Sequence, residues 1–276
     1  FPRRRSSHLA AEDIGFVPSN PPEMRRLTNS DSPALQAAKW FRRGANFGNY
    51  LEEPAKHGWG SVTVSAQEFP IIKREGFDHV RVPIRWSDYA GAGPEFTLAP
   101  GIFGRVDFVV TNALAANLAV IINMHHFDAF TSEPEKNTAE FVAIWRQIAA
   151  HYATATNTVA FELLNEPKDA ATTERMNAVY AKTITEIRQT NPRRTIFVGP
   201  GKWNQISELK NLVLPADDDN LIVTVHCYDP FYFTHQGAGW AGEDTKTTGI
   251  QFPGPPASPL VPNASMKLNN WVVDWI

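Results

Sequence analysis

The sequence predicts an α/β fold built on a parallel sheet, on three observations. Strand-like and helix-like segments alternate along most of the chain at intervals of roughly 35 to 40 residues, enough for one βα unit each. Several of the strand segments are apolar on both faces, as strands are when helices or a barrel interior cover both sides. The length of 276 residues suits an α/β barrel, a fold that commonly runs to about 250 residues as one domain.

The elements follow in order. Residues 1–33 are polar, contain proline and hold no sustained period, so they read as an N-terminal arm or leader ahead of a domain at 34–276. "FRRGANFGNYL" (41–51) is a short strand with a glycine-rich end. "SAQEFPIIKREG" (65–76) has helical apolar spacing and a terminal glycine. "HVRVPIRW" (79–86) is β-branched and alternating, a strand. A helix is expected over 105–118, and "AVIINMHHF" (119–127) is a continuous apolar run of the buried-strand type. "TAEFVAIWRQIAAHYA" (138–153) is a helix and "TVAFELLNEP" (158–167) a strand. A helix over 172–191 is stopped by Pro192. Strands at 194–204 and 220–231 follow. Residues 232–264, rich in Gly, Pro, Thr and aromatics, read as a long loop, and "SMKLNNWVVDWI" (265–276) regains helical spacing. The pattern alone allows either a doubly wound sheet or a barrel. "GANFGN" has neither the glycine spacing nor the following helix of a dinucleotide fingerprint.

Composition narrows the function. The net charge is −3, and the basic residues are scattered rather than clustered, so nothing points to nucleic acid. No run approaches the roughly 18 apolar residues of a membrane span. The single cysteine, Cys227, excludes a disulfide within the chain and reads as a small apolar filler. "FPRRRSS" has the charge of a signal-peptide start without the apolar stretch that would follow. The Asn263-Ala264-Ser265 sequon is a weak signal by itself.

Chemistry gathers at the strand ends. Strand two carries Arg81, strand three ends in His125-His126, strand four in Asn165-Glu166, strand five in Trp203-Asn204, and strand six in His226 and Tyr228. In a parallel α/β fold the carboxyl ends share one face, where ligands bind. His226 and Tyr228 are two apart and share a side, while Cys227 points away. His125 and His126 are adjacent, so in regular geometry at most one faces the barrel axis. With no HxH or HExxH pattern, no metal or other cofactor is expected. Glu166 is either the fixed ion-pair partner of Arg81 or a general acid tuned by apolar surroundings.

"HVRVPIRW", "VIINMHHF", "FELLNEP" and "VHCYDPF" stand in the order and spacing of glycoside hydrolase family 5, the cellulase-type (β/α)8 barrels, which the chain resembles over about residues 40–276. The resemblance implies β-glycan hydrolysis with retained anomeric configuration. It implies Glu166 as acid/base, with Arg81, His125, Asn165, His226 and Tyr228 lining the subsite at the cleaved bond. Arg81 and Tyr228 would orient a second carboxylate, and Asn165 would meet the sugar 2-hydroxyl. The resemblance places the nucleophilic glutamate at the end of strand seven, so about six of eight βα units, without that glutamate, are expected in this chain. A piece of a longer enzyme is therefore expected, since six strands alone leave two edges unpaired.

A retaining glycosidase needs two carboxyl groups about 5–5.5 Å apart. Glu162 precedes Glu166 by four residues; extended geometry separates their backbones by roughly 13 Å, so Glu162 reads as a buried structural acid. Asp229, Asp128 and Asp88 read as loop or turn acids. Sugar rings stack their C–H faces on aromatics. Among Trp86, Tyr89, Phe127, Phe130, Trp203, Phe231, Phe233 and Trp240, about half are expected to pack in the core; Trp203 and Trp240, in loops, are the platform candidates. The expected substrate is a β-1,4-glucan of cellulose type, cut by a secreted or periplasmic monomer with no nucleic-acid or membrane partner. The alternatives are a β-mannanase or exo-β-1,3-glucanase on the same fold, a non-catalytic glycan-binding protein, and, last, a metal-dependent hydrolase.

Overall fold

The computed structural model describes residues 32–54, 59 and 62–250. The expected arm up to residue 31, the helix-spaced segment 265–276, the sequon and the far part of the 232–264 loop lie outside the described residues.

Among the described residues six strands form one sheet: β1 (Gly44–Asn46), β2 (His79–Ile84), β3 (Ala119–Met124), β4 (Val159–Glu162), β5 (Ile196–Val198) and β6 (Leu221–Val223). Every neighbouring pair is parallel, and their spatial order equals their chain order. That order decides between the two architectures. A doubly wound sheet reverses its strand order at a switch point. A sheet that never reverses, with crossovers of constant hand, carries its helices on one face and curls into a barrel wall.

Helix α1 (Pro33–Ala38) precedes β1, and α2 (Glu68–Arg74), α3 (Pro100–Ala115), α4 (Asp128–Ser132), α5 (Pro134–His151) and α6 (Thr173–Thr190) lie between the strands. Proline at the first turn starts α1, α3 and α5, where its missing N–H costs nothing. Helix α3 therefore begins at Pro100, ahead of the expected residue 105. The Thr172 hydroxyl caps α6.

Strand register sorts side chains onto two faces. Val82, Ile122, Phe161 and Ile196 stand in one row toward the helices, all fully buried. Each such side chain contributes about 1.5–3 kcal/mol on burial, and this row with α3, α5 and α6 makes the main core. The opposite face is smaller and mixed: Ile121, Ala160 and Phe197 cluster with Phe41 and Ile222, in register rows shared with Arg81 and Glu162. Three core aromatics tie the helix layer to the strand ends. Trp86 Nε1 donates to the Asn123 carbonyl (3.1 Å), Trp145 Nε1 to that of Leu163 (3.0 Å), and the Tyr180 hydroxyl to that of Gly199 (2.9 Å).

The strands are shorter than the sequence suggests. Residues 199–204 leave the sheet after β5, and 224–231 leave it after β6. The alternation expected at 226–228 does not hold, because those residues are no longer strand. Cys227 is exposed and lines the same cleft as its neighbours, so it is not a core filler. Among the described residues no helix is long and apolar enough to cross a membrane.

Candidate active site

The carboxyl ends of the strands enclose a cleft of about 630 Å³. Arg81, His125, Asn165, Glu166, His226 and Tyr228, drawn from four strands or the segments after them, all line it.

Arg81 organises the floor. It stands on β2 in register with Asn46 of β1. Its Nε and Nη2 grip Glu162 at 2.6 and 2.8 Å, Nη2 also reaches Asn165 Oδ1 at 2.8 Å, and Nη1 reaches Asn46 Oδ1 at 2.8 Å. Burial works against the Arg81 charge, but Glu162 and, more weakly, Glu166 and Tyr228 more than offset it, so the guanidinium pKa is raised. Glu162 is 3% exposed. A bidentate pair of this kind fixes both side chains. The fixed ion pair considered for Arg81 and Glu166 is thus made by Arg81 and Glu162 instead. The labelled strand β4 ends at Glu162, but ladder bonds continue past it, from the Leu163 N–H to the Phe197 carbonyl and from the Asn165 N–H to the Met124 carbonyl. Glu162 is set apart by its engagement with Arg81. Asn46 was missed in the sequence; its place at the end of the first strand was the available signal.

Glu166 sits in the left-handed region, φ 48°, conformational strain of the kind that collects at functional sites. Its Oε1 lies 2.8 Å from His226 Nδ1, and its side chain is 26% exposed. The cleft around it is mixed rather than apolar, with Phe41, Ile121 and Phe197 lining it beside Arg81, Asn165, His226 and Tyr228. Asn165 Oδ1 is taken by Arg81, which leaves the amide nitrogen as its remaining donor.

Burial, then the charges of His126, Arg81, His226 and Arg85, push the His125 pKa well below the ordinary histidine value, so this ring is neutral at pH 7. Its Nδ1 lies 2.9 Å from Asn123 Oδ1. His126 is lowered too, by burial and by Arg85, and its ring packs edge-on against Trp59 at 5.5 Å. Burial and the Glu166 charge raise the Tyr228 pKa. Among the described residues no cluster of three or more His, Cys, Asp or Glu side chains could hold a metal ion.

Trp203 and Trp240 do not line the cleft itself. Trp203 is half exposed on a turn whose Lys202, Trp203 and Asn204 are all left-handed, with φ of 51°, 58° and 58°. Its N–H donates to the carbonyl of Pro167, next to Glu166, at 3.0 Å. Gly199 makes room for this turn, since a Cβ there would fall 1.8 Å from the buried Asn204 amide. Trp240, 83% exposed, packs edge-on against His235, which in turn contacts the rings of Phe231 and Tyr228. Trp86, Phe127 and Phe130 are core.

A profile described as cellulase (glycosyl hydrolase family 5) matches residues 42–253. Endoglucanase H of Acetivibrio thermocellus is 34% identical over 248 residues, which is 87% of this chain and 27% of that protein. The crystal structure of endoglucanase Cel5A from Thermotoga maritima is 42% identical with a TM-score of 0.74, covering 78% of this chain and 69% of that one. A second structure of Cel5A, in complex with mannotriose, is 41% identical with the same TM-score of 0.74, over 77% and 68% of the respective chains. The chain thus spans about a quarter of the first relative.

Proposed function

The chain belongs to glycoside hydrolase family 5, and we propose that the protein cleaves β-1,4-glucan internally by a retaining double displacement with Glu166 as acid/base. The observation that carries this reading is the pairing of Glu166 with His226 beside Asn165, in a cleft where the other lining glutamate is consumed by Arg81. In the first step a protonated Glu166 gives its proton to the leaving glycosidic oxygen, while a second carboxylate attacks the anomeric carbon. In the second step Glu166 takes a proton from water, and the resulting hydroxide releases the sugar. The Asn165 amide donates to the sugar 2-hydroxyl. Glu162 is held by Arg81 at both oxygens, which supports a second carboxylate from outside the described residues. Trp203 and Trp240 are aromatic platforms for further sugar rings. Because a polymeric substrate cannot enter a cell, the enzyme is proposed to act as a secreted or periplasmic monomer.

The mannotriose complex of the Thermotoga relative favours a second reading, β-mannan as an additional or alternative substrate. The Glu166→Gln variant of the full-length protein tests the main one. It is expected to lose most activity on polysaccharide while largely keeping kcat/KM on aryl glycosides with very good leaving groups, which need no proton. Equal loss on both would remove the acid role. Product analysis on carboxymethylcellulose, mannan and laminarin separates the substrate classes.

A further inference from the structure

We propose that Glu208, through Lys202 and Thr173, is a positioning residue that holds the Gly201–Asn204 turn against the catalytic carboxylate. The inference rests on the assignment of Glu166 as acid/base. The turn is an improbable piece of backbone, because three successive non-glycine residues adopt left-handed φ. Each such residue costs energy and persists only where the surroundings over-determine it. Glu208 is what over-determines this one. Its carboxylate is buried, yet it accepts from Lys202 Nζ at 2.6 Å, Thr173 Oγ1 at 2.9 Å and Asn211 Nδ2 at 3.1 Å. The Thr173 hydroxyl, having donated to Glu208, accepts from the Gly201 N–H at 2.9 Å. Backbone and hydroxyl come so close that a Cβ on Gly201 would lie 2.8 Å from the Thr173 nitrogen. The entry to the turn is pinned through Thr173, and Lys202 by its own ammonium.

From the pinned turn two hydrogen bonds reach the immediate neighbours of the catalytic residue. The Trp203 N–H donates to the carbonyl of Pro167, which follows Glu166 (3.0 Å). The Asn204 carbonyl accepts the N–H of His226 (3.0 Å), and His226 Nδ1 meets Glu166 Oε1 (2.8 Å). One turn therefore sets the backbone beside the acid and the histidine that orients its side chain. It also carries Trp203. None of Glu208, Lys202 or Thr173 lines the cleft, so their effect travels through geometry. Small misplacement at a reacting group is costly, about 10²-fold for 1 Å.

The test compares Lys202→Met and Glu208→Gln with the parent in the full-length protein. Lys202 is at the surface, so its variant keeps the fold even if Glu208→Gln does not. The expected result is a loss of about 10-fold in kcat/KM on soluble β-1,4-glucan with a change below about 2-fold on a dinitrophenyl cellobioside, whose leaving group needs no acid. In a Glu166→Gln background the same Lys202→Met change should cost little, since the group it positions is gone. A uniform loss on both substrates, or no loss from Lys202→Met, overturns the proposal while leaving the role of Glu166 intact. Full polymer activity in Glu166→Gln alone overturns the role of Glu166, and the proposal with it.

Discussion

At the scale of single residues, the cleft contains two glutamates of opposite availability. Glu162 is locked to Arg81 through two oxygens, whereas Glu166 is held at one oxygen by His226 and is open to the cleft. Removing one member of a buried pair strands the other charge, so Arg81→Met is expected to destabilise by about 3–5 kcal/mol, measured by urea unfolding. A double replacement, Arg81→Met with Glu162→Gln, should recover part of that loss, because no unpaired buried charge remains. His125 offers a different check. Its pKa lies well below the ordinary value because of burial and the surrounding cations. An NMR titration should show its ring neutral down through pH 6.5, and a ring that titrates at 6.5 would contradict the buried setting.

At the scale of elements, connections rather than strands carry the fine geometry. Arg194, 3% exposed, precedes β5 and donates to the carbonyls of Tyr152, Ala155, Thr156 and Val159 and to the Asn191 side chain. It gathers the end of α5, the start of β4 and the end of α6 with no carboxylate among these partners. Burial accordingly lowers its pKa to about 10. Arg194→Met leaves several carbonyls unsatisfied, and a loss of about 3 kcal/mol is expected in denaturant unfolding. The Glu208 staple has a pH signature. Hydrogen bonds from Lys202, Asn211 and Thr173 lower its pKa from 4.5 to about 2. A depressed carboxyl stabilises the folded state above its unfolded pKa, and that contribution is lost as pH falls through the folded value. Glu208→Gln should therefore flatten the fall in melting temperature between pH 4.5 and pH 2. Lys202, with Glu174 nearby, is the cation whose own pKa rises in return.

At the scale of the whole molecule, the six strands run in chain order, and the described residues leave β1 and β6 each paired on one side only. Of the two lining glutamates Glu162 is held at both oxygens by Arg81 and Glu166 at one by His226, while the proposed double displacement needs a second carboxylate. With the second carboxylate proposed to lie outside the described residues, the 276-residue chain by itself is expected to hydrolyse cellulosic substrates negligibly, and substantial release of reducing sugar by the purified chain would contradict that proposal. The sequence by itself determined the βα alternation, the parallel sheet and the strand-end grouping of Arg81, His125, Asn165, Glu166, His226 and Tyr228. Those follow from period and from which strand end each residue occupies, both local properties. It also separated Glu162 from the chemistry by strand spacing, and the structure adds the Arg81 pair that holds Glu162. Only the tertiary structure decided that Arg81 binds Glu162 rather than Glu166, that Cys227 faces the cleft, and that Trp203 rides on a left-handed turn stapled by Glu208. Each of those joins residues from different βα units, and such partners are chosen by barrel curvature and by where the chain leaves a strand, which no local period records.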